Sequence, residues 1–127
     1  MYHSVSSQAD GRYGRWCVSP GTFRQHMSIL ADGNYTVLTV GDLVARMKSR
    51  LALPDRCVAL TFDDGLRDFV TDAAPILKQF GFPATLYVVA GLVGQTSVWL
   101  KELGEGSRPM LRQEDLGCLV DQGVEIG

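Results

Sequence analysis

Cys57-Val58-Ala59-Leu60-Thr61-Phe62-Asp63-Asp64-Gly65 decides the fold of this chain. The uncharged, mostly apolar run Val58 to Phe62 does not alternate. It predicts a strand covered on both faces, the kind found inside a parallel sheet. Such a strand delivers its last residues to the carboxyl edge of the sheet, where α/β folds concentrate their chemistry. Side chains alternate along a strand, so Asp63 and Asp64 are expected to point in different directions. That favours two roles, one carboxylate binding and the other accepting a proton, over a twin pair sharing one proton. Gly65 allows a sharp turn at a crowded site. Taken alone, Asp-Asp-Gly is also ordinary strand-to-loop punctuation.

The residues after this strand complete a βαβ unit. Thr71 or Asp72 caps a predicted helix that tolerates Pro75 in its first turn, and Ala73, Ile76, Leu77 and Phe80 line one face. Gly81 with Pro83 stops it, and the uncharged run Thr85 to Val89 is the next buried strand. Right-handed crossover is expected between Phe62 and Ala84.

Upstream, Tyr2 to Val5 reads as a short first strand whose end carries His3, and Ser6 to Cys17 as a polar loop. Ser19-Pro20 is a hydroxyl cap followed by proline at the first helical position. Phe23, Met27 and Leu30 form the stripe of that helix, with His26 beside it as a surface or satisfied histidine, and Gly33 is its stop. Tyr35 to Thr39 is a strand. Thr39 and Asp42 open a second helix with Leu43, Met47 and Leu51 as its apolar face. Downstream, Gly91 to Pro109 reads as a surface excursion whose Trp99 either lines a sugar site or pins the loop. Leu116, Leu119 and Val120 mark a fourth helix, Gly123 ends it, and Val124 begins a strand.

Composition narrows the function classes. The chain has 127 residues, enough for one domain with a real core, with 46% hydrophobic and 20% charged residues. A net charge of −2 gives no electrostatic footprint for nucleic acid. No apolar run reaches the roughly 18–20 residues that span a bilayer. Met1 is followed at once by Tyr2-His3-Ser4, with no signal-peptide pattern, so the default expectation is cytoplasmic. Cys17, Cys57 and Cys118 are odd in number and scattered, and read as small core residues with free thiols.

Thr61-Phe62-Asp63-Asp64-Gly65 followed by Pro75-Ile76-Leu77-Lys78-Gln79-Phe80-Gly81-Phe82-Pro83-Ala84-Thr85 resembles the NodB-homology polysaccharide deacetylases. The resemblance runs from Tyr2-His3 to Gly127. It implies an irregular (β/α) barrel, a metal-dependent hydrolysis of acetamide groups, and N-acetylated polysaccharides or oligosaccharides as substrates. It implies Asp63 as catalytic base and Asp64 as ligand of a divalent metal, zinc by preference. Tyr2-His3 matches the segment that supplies the general acid in the branch acting on bacterial poly-N-acetylglucosamine-type polymers, which makes His3 the acid. Members of the family are often exported or held at the cell envelope.

In that family a strand like Val124-Glu125-Ile126-Gly127 leads into an H-x-x-x-H motif whose histidines complete the metal site. Here the sequence stops first, and His3 and His26 are its two histidines. The expectation is therefore one domain over residues 1–127, the N-terminal part of a catalytic barrel, truncated after about five strands and inactive as it stands. Its remaining metal ligands would lie beyond Gly127, and its open sheet edge would favour self-association. The alternative is a non-catalytic glycan-binding or interaction module derived from a deacetylase.

Overall fold

The structure is a computed structural model that describes residues 1–8 and 11–127. Its strands are short and all named pairs run parallel. In chain order they are β1 (Ser4–Val5), β2 (Cys17–Val18), β3 (Thr36–Leu38), β4 (Cys57–Ala59), β5 (Thr61–Phe62), β6 (Ala84–Leu86) and β7 (Val124–Ile126). The helices are α1 (Pro20–Asp32), α2 (Val40–Lys48), α3 (Ala74–Phe80) and α4 (Gln113–Asp121).

The central strand exists, with one change. It is interrupted at Leu60 and exchanges neighbours there: β4 pairs with β3, whereas β5 pairs with β6, which in turn pairs with β7. Tyr2 bridges to Phe62, donating its N–H to the Thr61 carbonyl at 2.8 Å and accepting from Asp63 N–H at 2.9 Å. This clasp lays the start of the chain alongside the Asp-Asp turn. Cover on both faces holds only for the later part of the run. Leu60 and Phe62 are buried, but Val58 and Ala59 are half-buried and border a cavity.

Phe62 anchors the core. Its ring lies 4.7 Å from that of Phe69, 5.2 Å from Tyr2 and 5.7 Å from Phe23. Around these rings pack Met27 of α1, Ala73 ahead of α3, Ile76 and Leu77 of α3, Leu119 of α4 and Val124 of β7. Deleting a buried aromatic ring of this kind costs about 3–5 kcal/mol, so the residue next to Asp63 is among the least free to move.

The helices begin and end largely as their sequences require. Ser19 caps α1, its Oγ accepting from Thr22 N–H at 3.1 Å, and Thr39 caps α2 through Asp42 N–H at 3.0 Å. Gly81 (φ 66°) takes the left-handed turn after α3. The third helix starts earlier than Thr71, because a π-helical turn over Phe69–Ala73 runs straight into α3 and buries Phe69 and Ala73. At the end of α1 the left-handed residue is Asn34 (φ 53°), not Gly33.

Three expectations fail. The Leu43–Met47–Leu51 face of α2 is not buried: Met47 is 63% and Leu51 60% exposed, and α2 has no buried residue. Ser6 to Cys17 is not simply a loop, for Gly11–Trp16 forms a 3-10 helix that leads into β2; Ala9 and Asp10 lie outside the described residues. Cys118 is exposed rather than a core residue, while Cys17 and Cys57 are half-buried, and all three thiols are free. Among the described residues no helix is long and apolar enough to cross a membrane.

Candidate active site

Phe62 ends β5, and the chain then turns through two successive left-handed residues, Asp64 (φ 75°) and Gly65 (φ 69°). Aspartate tolerates this region better than most side chains. Gly65 has little choice, since a Cβ there would sit 3.2 Å from Val88 Cγ1 and 3.3 Å from Val88 Cα. The turn changes the expected alternation: Asp64 is not a strand residue, so the period-two rule does not set its direction. The turn is also held from the far side. Gly65 C=O accepts from Leu111 N–H at 2.9 Å, and Arg67 N–H donates to Pro109 C=O at 2.9 Å.

The three residues predicted to share the site are together. The Tyr2 clasp sets His3 beside the turn, and His3 Nδ1 lies 3.2 Å from Asp64 Oδ2. Both side chains are about a quarter exposed. An ionised carboxylate only accepts, so Nδ1–H donates and Nε2 is left for chemistry. Asp64 Oδ1 has no hydrogen-bond partner among the described residues. Asp63 is half-buried at the end of the strand, its backbone fixed by Tyr2. His26 is satisfied, its Nδ1 lying 2.9 Å from the Tyr2 hydroxyl, and burial raises the Tyr2 pKa.

Trp16 stands beside His3, a placement that no sequence motif signals. Its ring stands edge-on to His3 at 5.3 Å and is 42% exposed. His3, Trp16, Tyr2, His26 and Val58 border an apolar cavity of about 640 Å³. Trp99, the aromatic singled out from sequence, is 39% exposed and does not border this cavity.

Beneath the rim lies a buried polar cluster. Asp68 Oδ2 accepts from Arg108 Nη2 at 2.6 Å and from Ser4 Oγ. Arg108 Nη2 also donates to Ser4 Oγ at 2.8 Å, and its guanidinium lies 5.1 Å from the Tyr13 ring. Burial pushes the Asp68 carboxyl up to about 6, against the Ser4 hydrogen bond and the Arg108 charge, which pull it down. Burial, with the Asp64 charge next, raises the Tyr13 phenol.

A hydrolytic zinc site takes about three protein donors and leaves one position open. Among the described residues no group of three or more His, Cys, Asp or Glu side chains is placed to hold a metal ion. The described residues therefore do not make a metal site by themselves.

The sequence profile of the polysaccharide deacetylase family matches residues 50–127. The Bacillus subtilis (strain 168) protein YxkH is 33% identical over 109 residues, 83% of this chain and 37% of that protein. The poly-beta-1,6-N-acetyl-D-glucosamine N-deacetylase of Escherichia coli (strain K12) is 31% identical over 84 residues, 65% of this chain and 12% of that protein. Among solved structures, IcaB from Ammonifex degensii superposes with a TM-score of 0.81 at 26% identity, over 99% of this chain and 49% of that one. A Streptococcus pyogenes deacetylase, PplD in complex with acetate, gives 0.75 at 25% identity, over 99% and 52%. The chain thus spans about half of these solved structures and less of the curated relatives. His3 lies outside the profile match, but the superposition on IcaB takes in 99% of the chain.

Proposed function

The chain belongs to the polysaccharide deacetylase family, and on that premise we propose that it forms part of a catalytic domain removing acetyl groups from N-acetylated sugar polymers. The observation that carries this reading is the meeting of His3 with Asp64 beside Asp63; His3 also borders, with Trp16, the apolar cavity, which neither aspartate lines.

Asp63 is the general base, taking a proton from the water that attacks the acetamide carbonyl. His3 is the general acid. Its Nδ1–H stays on Asp64, which fixes the ring, and Nε2 gives its proton to the departing amine nitrogen as the C–N bond breaks and acetate leaves. Trp16 offers an indole face to the apolar side of a sugar ring. Asp64, with Oδ1 unengaged, would be this chain's donor to a divalent cation, zinc by preference. The other donors would come from outside the described residues.

With no third donor beside Asp64 among the described residues, residues 1–127 alone are expected to show no turnover while still offering the Trp16 cavity to a glycan. The test of the main reading is acetate release from N-acetylglucosamine oligomers by a longer polypeptide that contains this chain. Asp63→Asn is expected to abolish turnover and leave metal binding intact, while Asp64→Asn weakens both. Equal loss of metal in the two variants would reverse the assignment of base and ligand.

A further inference from the structure

His3 is held through its neighbours on either side. Tyr2, before it, is clasped by Thr61 and Asp63. Ser4, after it, is 1% exposed and opens β1. The Ser4 hydroxyl meets Asp68 Oδ2, Arg108 Nη2 at 2.8 Å and Cys17 Sγ at 3.3 Å. These partners come from three separate parts of the chain: the turn after Asp64, the 91–109 excursion, and β2, which follows Trp16. The pair beneath is itself fixed, with Arg108 Nη2 2.6 Å from Asp68 and Arg108 Nε 3.7 Å from Glu105.

A serine hydroxyl that only needed a partner could take a nearby backbone carbonyl. Here it sits on a buried ion pair whose own needs are not fully met. Asp68 Oδ1 and Arg108 Nη1 are buried without hydrogen-bond partners among the described residues. Charge-assisted hydrogen bonds are short, directional and strong. Two of them converging on Ser4 Oγ fix the backbone of β1, and with it the direction in which His3 leaves that strand.

We propose that the Ser4–Asp68–Arg108 cluster is a positioning device for His3, holding Nδ1 of the imidazole against Asp64. Its importance for catalysis rests on the reading of His3 as the acid, but the geometry it predicts does not, so the two can fail separately. Asp68, Arg108 and Ser4 act as positioning residues, through the backbone of β1.

The test reads the ring rather than the rate. The His3 nitrogen resonances are recorded by NMR in the chain of residues 1–127 and its variants, with circular dichroism as the check of folding. Asp64→Asn defines the His3 Nδ1 signal when the carboxylate is lost. Ser4→Ala and Asp68→Asn are expected to move that signal most of the way to the same value in a folded chain. Thr85→Val, which removes another buried hydroxyl of the sheet, is expected to leave it in place. An unchanged His3 signal in folded Ser4→Ala overturns the proposal. So does a Ser4→Ala chain that fails to fold, since the hydroxyl would then be a general staple of the structure.

Discussion

Asp64 and Asp68 leave the same strand on the same turn, yet they end in opposite environments. Asp64 is about a quarter exposed, with one oxygen on His3 and the other without a hydrogen-bond partner among the described residues. Asp68 is 11% exposed, shares an oxygen between Ser4 and Arg108, and has its pKa pushed up by burial to about 6. The carboxylate that keeps water nearby and an oxygen in reserve is the one suited to chemistry. The more buried carboxylate is committed to structure, for a charge with little access to water is tolerated only while it is paired. A perturbed carboxyl is often taken as a sign of a catalytic group. Here the perturbed one, Asp68, holds Ser4 of β1, next in the chain to His3.

The sharpest way to break this contrast is to remove a group from each side. In a longer, active polypeptide, His3→Ala is expected to lower turnover by roughly 10²–10⁴-fold, the range for loss of a general acid, with thermal stability unchanged. A rate equal to that of the unmodified enzyme would return His3 to an ordinary place at a strand end. Asp68→Ala is expected to do the reverse within residues 1–127. It takes away the nearer of the two Arg108 carboxylates and leaves Glu105 at 3.7 Å, and urea unfolding is expected to show a loss of about 3 kcal/mol, the lower end for buried pairs deprived of one partner. A loss under about 1 kcal/mol, the range of an exposed pair, would mean that the cluster is more hydrated than its burial implies.

A smaller effect separates the two carboxylates by pH. An acid whose pKa is raised on folding holds its proton longer in the folded chain. Asp68 therefore favours folding most below its ordinary 3.8, and this contribution is lost as the pH rises toward 6. Measured against Asp68→Asn, the stability of the chain is expected to fall across that window by on the order of 1–3 kcal/mol. Asp64→Asn is expected to retain the same fall. A stability difference that is flat with pH would place the Asp68 pKa near its ordinary value.

The two regions were not equally legible. The Asp63–Asp64 turn is written locally, as an apolar run, two carboxylates and a glycine, and the parallel pairing of β5 with β6 follows from the βαβ spacing. Caps such as Ser19-Pro20 and the Gly81 stop depend on neighbouring residues and were readable for the same reason. The supporting cluster is not local. Ser4, Asp68 and Arg108 meet only once three segments have folded, and nothing in the composition around Arg108 marks it as buried. Trp16 was hidden because Ser6 to Cys17 is polar and glycine-containing, and that composition masked a 3-10 helix and a strand. The break at Leu60 was invisible too, because an uninterrupted apolar run carries no sign of where a strand changes partners. Periodicity misled around α2, where Leu43 is only half-buried and Met47, with Leu51 just past the helix, is exposed. A stripe predicts which side is apolar, not that something lies against it.

On the proposed reading, His3 and Asp63 transfer protons, while no complete metal donor set stands among the described residues. Zinc titration of this chain by calorimetry, with acetate release from an N-acetylglucosamine oligomer measured on the same samples, tests it most directly. The account predicts weak zinc binding, no turnover, and self-association through the outer edge of β7, which pairs only with β6 among the described residues. Tight one-to-one zinc binding accompanied by turnover would contradict it.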